Sequence, residues 1–348
     1  MTPSVRLSRS GGTSGSRVFL HVGAPLTGTA VRSTLARHRP RLSRQGVLYP
    51  ASHAGADASH VEALRDALGL VSPAHRPSTG AWDRFAQGAR DWRRGTVVLS
   101  HDLFAEATPE QVARIAGSFG RAEVHVVYTA RDLARQIPRA WQAWVQRGGT
   151  AGFAGFVEHL VARDGHRTST RFWQAHDLGV VLARWGAFVP AERVHVLPVP
   201  VASSLWTQFI RTTGIDDRRI RVTDDDGPDL RPLAATEVLR LLSVQTGEPV
   251  ADEVSALLDD VHGPLPAVPH RHRSWLEEAE EAQLAAVKDG GYDVVGELTA
   301  LRHDPAALAP DDDQVHPRPD DVVAVQTRLL AHTLAGGAGA VRRRTRAR

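Results

Sequence analysis

Cysteine is absent from all 348 residues. That excludes disulfides, a thiolate nucleophile and any zinc or iron–sulfur site built on cysteine. Lysine is almost absent too: Lys288 stands alone against 41 arginines, so a mechanism that needs a lysine in the N-terminal half is excluded. No run of 18 apolar residues occurs, and residues 1–16, rich in Ser, Gly and Arg, lack the apolar core of a signal peptide. We therefore expect a cytoplasmic chain with no membrane association. A strong charge of one sign is missing as well. The balance is 42 basic to 39 acidic residues, and five of the arginines sit in the last seven positions; without them it is 37 to 39, or −2. A nucleic-acid-binding body is not expected on that balance. With 42% apolar residues the chain has enough material for a sizeable core.

What is present centres on Arg17 to Arg32, RVFLHVGAPLTGTAVR. Val18, Phe19, Leu20 and Val22 read as a buried strand, Gly23 to Thr29 as a turn, and Ala30 onward as a helix. Such a unit suits anions. Its glycines expose backbone N–H groups, the helix start carries partial positive charge, and Thr27 and Thr29 add hydroxyls. A Walker loop would place Lys directly after its second glycine, where Thr29 stands here, so an ordinary ATPase, GTPase or kinase is disfavoured.

Further along, Val31 to Arg44 reads as a basic helix broken by Pro40, Gly46 to Pro50 as a short extended piece, and Val61 to Leu70 as a helix. Residues 72–80 read as a loop. Trp82, Phe85, Ala89 and Trp92 form a core-facing stripe at helical spacing. Thr96 to Ser100 is a second buried strand that delivers His101 and Asp102 to its carboxyl end, where parallel sheets bind ligands. His101 suits a general base near neutral pH, or else caps the next turn. Thr108-Pro109-Glu110 signals a helix start.

The run Val124 to Thr129 ends in Ala130-Arg131-Asp132, with a helix from Leu133 that carries Trp141 and Trp144 as core or pocket wall. Arg131 and Arg135 suit phosphate binding, or else pair with Asp132. A helical region at 153–188, a strand at Arg193 to Pro200 and then mostly helices complete the pattern. It predicts an α/β fold with a central parallel sheet, flanking helices and a helical C-terminal part. The expected organisation is a loose tail at 1–16, one domain over 17–303, a Pro/Asp-rich connector and terminal helix over 304–334, and a disordered basic tail at 335–348. Asp224–Asp226 and Asp311–Asp313 read as solvated loops, because consecutive aspartates point in different directions; no metal is expected.

As a set, FLHVGAPLTGT, GVLYP, VVLSHDLF, VVYTARDLARQIPRAWQ, ARWGAFVPAERVHVLPVP and WLEEAEEAQLAAVKDGGYDVVGEL resemble bacterial sulfotransferase-family proteins from about Arg17 to Leu301. The resemblance implies a P-loop-type nucleotide-hydrolase-like fold. It also implies transfer of a sulfuryl group from PAPS, leaving PAP, to a hydroxyl or amine of a small-molecule or carbohydrate acceptor. The loop would hold the 5′-phosphosulfate through Gly23, Thr27, Gly28, Thr29 and Ala30, and Arg131 matches the arginine on the 3′-phosphate. His101 and Asp102 match the position of the catalytic base.

Three residues depart from that pattern. Leu26 replaces the loop lysine, Ala30 a hydroxyl residue, and Arg139 the serine eight places after Arg131. A positioned ammonium neutralises charge on the bridging oxygen as the S–O bond breaks, and losing such a donor costs on the order of 100- to 1000-fold in rate. Arg32, on the first turn of the helix, is the candidate to replace it. The other reading is a catalytically inactive nucleotide-binding or regulatory protein of the same fold, acting on a protein partner.

Overall fold

The computed structural model describes residues 16–50, 56–70, 80–92, 95–199, 204–222, 230–310 and 316–346, without side-chain detail at 56–60 and 335–346. The tail at 1–15, the loop at 72–79 and both acidic runs lie outside the described residues.

The first apolar run forms β1 (Arg17–Gly23). It is followed by α1 (Thr29–Arg37), α2 (Arg39–Arg44), β2 (Val47–Leu48), α3 (Ala56–Ala67), α4 (Ala81–Asp91) and β3 (Thr96–Ser100). Next come α5 (Pro109–Gly117), β4 (Glu123–Ala130), α6 (Leu133–Gln146), α7 (Phe153–Ala162), α8 (Arg167–His176), α9 (Leu178–Gly186) and β5 (Val194–Pro198). The remainder is α10 (Leu205–Thr213), α11 (Leu233–Thr246), α12 (Asp252–Ala256), α13 (Arg273–Asp289), β6 (Asp293–Val294) and α14 (Pro319–Arg346).

The six strands form one parallel sheet in the order β2-β3-β1-β4-β5-β6. From β1 the chain builds β2 and β3 on one side and β4 to β6 on the other. The order therefore reverses beside β1, and the crevice past its carboxyl end is where a parallel sheet accepts ligands.

Side-chain alternation explains why β1 has a single register. Val18, Leu20 and Val22 pack with Val97, Leu99, Val126 and Val196 beneath α3, α4, α5, α9 and α13. Phe19 packs on the opposite face with Val98, Val127 and Leu197 beneath α1, α2 and α10. Each large side chain buried this way contributes about 1.5–3 kcal/mol. A one-residue slip would put them all on the wrong face. A third apolar cluster lies outside the sheet, where Leu133, Ile137 and Trp141 of α6 meet α7, α8, α11, α13 and Val325 of α14.

The helix starts follow local chemistry. Thr108 and Gln111 close a reciprocal capping box with Pro109 in the first turn of α5, and Asp132 accepts the Arg135 backbone N–H at 2.9 Å to cap α6. Pro40 opens α2, where its missing N–H costs nothing. The aromatic stripe of α4 faces the core as expected, with Trp82 fully buried.

Two features exceed the sequence expectation. The last helix, expected over Val322 to Leu334, begins at Pro319 and its backbone runs to Arg346, through the segment expected to be a disordered tail. A sixth strand, β6, is only two residues long and pairs with β5. Its attachment is completed by side chains: Asp293 Oδ2 lies 2.6 Å from His195 Nδ1 on β5, whose Nε2 lies 2.9 Å from His125 Nδ1 on β4. Burial first, then the His195, Arg17 and Arg193 charges, lower the His125 pKa to about 4. No described helix is long and apolar enough to cross a membrane.

Candidate functional site

The segment Gly23 to Gly28 leaves β1 and returns over its own strand end. Beneath it lies His21, buried among apolar residues with Nδ1 2.7 Å from Ser100 Oγ and Nε2 3.2 Å from Thr129 Oγ1. The network closes when Thr129 donates to the Gly23 carbonyl, at 3.1 Å, and accepts from His21 Nε2–H, with Ser100 donating to Nδ1. That requires a neutral ring. Burial is the main cause that lowers its pKa to about 4, with Asp102 acting upward and Arg32 downward.

Gly28 rests directly on this imidazole. A Cβ at residue 28 would stand 2.4 Å from His21 Cε1, and the ring is held on both sides by hydroxyls. Gly28→Ala is therefore expected to displace the loop from β1 and, on the sequence expectation that this loop holds an oxyanion, to weaken that binding at least about tenfold, as loss of one or two charge-assisted hydrogen bonds implies. Calorimetric titration with pyrophosphate, set against the thermal melt of the variant, checks this. Wild-type affinity in the variant would refute it.

The loop's donors divide into two groups. Ala24 N–H donates to the Thr129 carbonyl at 2.5 Å, Thr27 N–H to the Ala24 carbonyl at 3.2 Å, and Leu26 N–H to Asp102 Oδ2 at 3.2 Å. The N–H groups of Gly28, Thr29 and Ala30 have no protein acceptor among the described residues, and no side chain caps α1. Thr29 opens on a cleft of about 310 Å³, lined also by Arg32, Ser33, Ser100 and His101.

The sequence-predicted residues fare differently. Thr29, Arg32 and His101 line this cleft, Asp102 is joined to it through Arg32, and Gly28 and Ala30 flank Thr29 in the chain. Thr27 is not available to a ligand: its hydroxyl donates to the Ala24 carbonyl at 2.6 Å and lies 2.5 Å from Thr129 Oγ1, so it ties the loop together. Gly23 serves the turn with φ +121°, its carbonyl taken by Thr129. Leu26 adopts φ +68°, a conformation that costs a non-glycine residue roughly 1–2 kcal/mol.

Arg32 does reach the loop, and it arrives paired, its Nη1 2.9 Å from Asp102 Oδ1. His101 Nδ1 accepts the Leu103 N–H at 3.1 Å, which is the capping role; a neutral ring then carries its proton on Nε2 and has no lone pair there for general-base work. Arg135 is paired with Asp132 rather than held for phosphate, and also donates to the Val199 carbonyl at 3.1 Å. Arg139 turns back to the Arg135 carbonyl at 3.1 Å. Arg131 is 6% exposed at the end of β4, and its charge reaches His176. Neither Arg131 nor Arg139 belongs to the described lining of the cleft.

Sequence reasoning missed His21, Thr129, Gln136 and His176. His21 carried a signal, a polar residue within the apolar run FLHVG. Gln136 carried none: its Nε2 donates to the Pro25 carbonyl at 2.8 Å across 111 residues, and it lies 3.4 Å from His176 Nδ1.

These features define an α/β protein with a glycine-bearing turn at the reversal point of a six-stranded parallel sheet. Comparison with family models, curated proteins and solved structures finds no match to this chain.

Proposed function

We propose that the chain is a sulfotransferase-like protein that binds PAP or PAPS through its first loop and performs sulfuryl transfer to a hydroxyl or amine poorly or not at all. The observation that carries this reading is the run of N–H groups at Gly28, Thr29 and Ala30, without a protein acceptor among the described residues, with Thr29 at its middle lining the cleft. Backbone donors at a helix start fit a phosphate or sulfate group. In this reading Thr29 adds its hydroxyl, and Arg131 is the residue for the 3′-phosphate.

The same geometry favours weak or absent turnover. Transfer needs positive charge where the leaving oxygen develops negative charge. Leu26 supplies none, and Arg32 is already neutralised by Asp102. A base is also needed for the acceptor proton, and the Nδ1 lone pair of His101 is used in capping. PAPS when bound would supply the activated sulfuryl group; the protein's own part is to orient it.

The test combines calorimetry with PAP and a PAPS turnover assay against a panel of phenols and amines. Micromolar PAP binding is expected, with Leu26→Lys raising turnover by about 100-fold or more over wild type. Lysine tolerates this backbone conformation no worse than leucine. Robust wild-type turnover would sink the inactive reading, and absence of PAP binding would sink the cofactor assignment altogether.

A further inference from the structure

A second pocket, with Pro25 and Leu26 at one edge, is formed where α6 and α8 meet α7. Its volume is about 50 Å³, several times the roughly 10–15 Å³ that one water needs on the same measure, and it opens to solvent. It is ring-sized. Its walls have two characters. Trp144, Phe156 and Phe172 supply an aromatic side, extended by Ala140, Ala143 and Ala175. Those small residues on α6 and α8 keep the space open, and Gly149 lets the Trp144 indole lie flat against the backbone, since a Cβ there would stand 2.1 Å from Nε1.

The polar side is cationic and incompletely matched. Arg171 is paired with Glu106 at 3.3 Å, which leaves one net positive charge from Arg147. Arg147, at the end of α6, has an exposed side chain with no acidic partner among the described residues. Solvation at a helix C-terminus would suffice for an arginine there. A second observation points inward instead. Thr168 is 1% exposed, lines the pocket, and its hydroxyl has no hydrogen-bond partner among the described residues. A buried hydroxyl left unmatched costs roughly 1–3 kcal/mol, so its place on a pocket wall is best accounted for by a ligand. His176 stacks on Phe172 at 4.5 Å and turns Nδ1 toward Gln136, leaving Nε2 as the ring's other polar atom.

We propose that this pocket binds a small amphipathic anion, an aryl or branched-alkyl carboxylate, with its apolar body against Phe156, Phe172 and Trp144 and its carboxylate taken by Arg147 and the Thr168 hydroxyl. The aromatic walls, with Phe156 edge-on to Phe172, select a flat or compact hydrophobic body. An unpaired guanidinium beside a hydroxyl donor selects a planar anion over an amide or an amine. The assignment does not rest on nucleotide binding. Should the proposed function hold, the pocket would present an acceptor next to Leu26.

The experiment is calorimetry on the full chain, without nucleotide, using 4-hydroxybenzoate, 4-hydroxybenzamide and 4-hydroxybenzylamine as probes. The carboxylate is expected to bind at least about tenfold more tightly than the amide, and the amine to bind most weakly. Arg147→Ala should erase the preference for carboxylate over amide while leaving amide binding unchanged. The exposed position of Arg147 makes the variant safe for folding. Thr168→Val should weaken the carboxylate several-fold. Equal binding of amide and carboxylate, a preference that survives Arg147→Ala, or no carboxylate binding at about 1 mM would each overturn the proposal. A parallel PAP titration separates the two readings: PAP binding with no carboxylate binding removes this pocket and spares the loop, and the converse removes the loop and spares the pocket.

Discussion

Glu280→Ala is expected to destabilise the protein by about 3–5 kcal/mol, the usual cost of removing one member of a buried, hydrogen-bonded ionisable pair. Glu280 lies on α13 with 3% of its side chain exposed. Its Oε1 accepts the Leu133 N–H at 3.2 Å, and its Oε2 accepts the His303 N–H at 3.0 Å and His303 Nδ1–H at 2.8 Å. Burial pushes its pKa up, against the downward pull of the His303 bonds. The alanine variant would leave those three donors without an acceptor in an environment that water does not reach. Leu133 is the first residue of α6 and directly follows Arg131 and Asp132, so the loss would loosen the end of β4 as well as the outer cluster. Urea unfolding of wild type, Glu280→Ala and Glu280→Gln provides the check. Glutamine keeps an acceptor and should cost clearly less than alanine. A loss under about 1 kcal/mol for alanine would show that the pair is not part of what holds α6 to α13.

The second large effect is acid lability between pH 6.5 and 5. His21 and His176 are buried neutral, with pKa values lowered to about 4 and about 3 from 6.5. Burial dominates both; for His176 the Arg147 and Arg131 charges add to it and Asp102 opposes. Below pH 6.5 the unfolded chain takes up protons at these sites and the folded chain does not, so the unfolded state binds more protons and stability falls as pH falls. The stabilisation is complete above 6.5. It erodes until the folded-state values are reached. From pH 6.5 to 5 each histidine accounts for about 2 kcal/mol of loss, and most carboxylates remain ionised over that range. Denaturant midpoints at pH 7.5, 6.5, 5.75 and 5 should decline steeply, and His176→Gln should flatten the slope. Stability independent of pH over that window would show that these rings are protonated in the folded state.

The parts of the fold legible in sequence were those whose physics is local. β1, β3, β4 and β5 are buried on both faces over most of their length, which makes them mainly apolar runs, each of β1, β4 and β5 interrupted by one histidine. The cap at Thr108 announced its helix, whereas Asp132, read only as a possible arginine partner, turned out to cap α6. β6 has two residues and no apolar run, and it is held by Asp293 on a histidine 98 residues away, so no window of sequence contains its cause. The site divides the same way. The glycine turn was visible, and so was the pairing of Arg135 with an aspartate three residues off. Thr27 read as an anion donor because hydroxyls in glycine turns usually face the ligand. Its partner Thr129 is 102 residues distant, and that contact reverses its role. Arg32 was found by proximity to the loop, whereas its neutralisation by Asp102, 70 residues on, was out of reach.

The Asp102 carboxylate, bound to both the Leu26 N–H and Arg32, changes what kind of receptor the first loop is. A vacant cradle responds to any oxyanion in proportion to that anion's own affinity. This one already holds a tethered counterion, present at an effective concentration that no free solute matches. Exchange is confined to those two groups: a solute reaching for the Leu26 N–H or Arg32 has to outcompete the resident carboxylate, whereas the Gly28, Thr29 and Ala30 N–H groups stand outside its hold. On the proposed reading, a multiply charged phosphate or phosphosulfate would gain most by engaging the second set and leaving the Asp102 contacts in place.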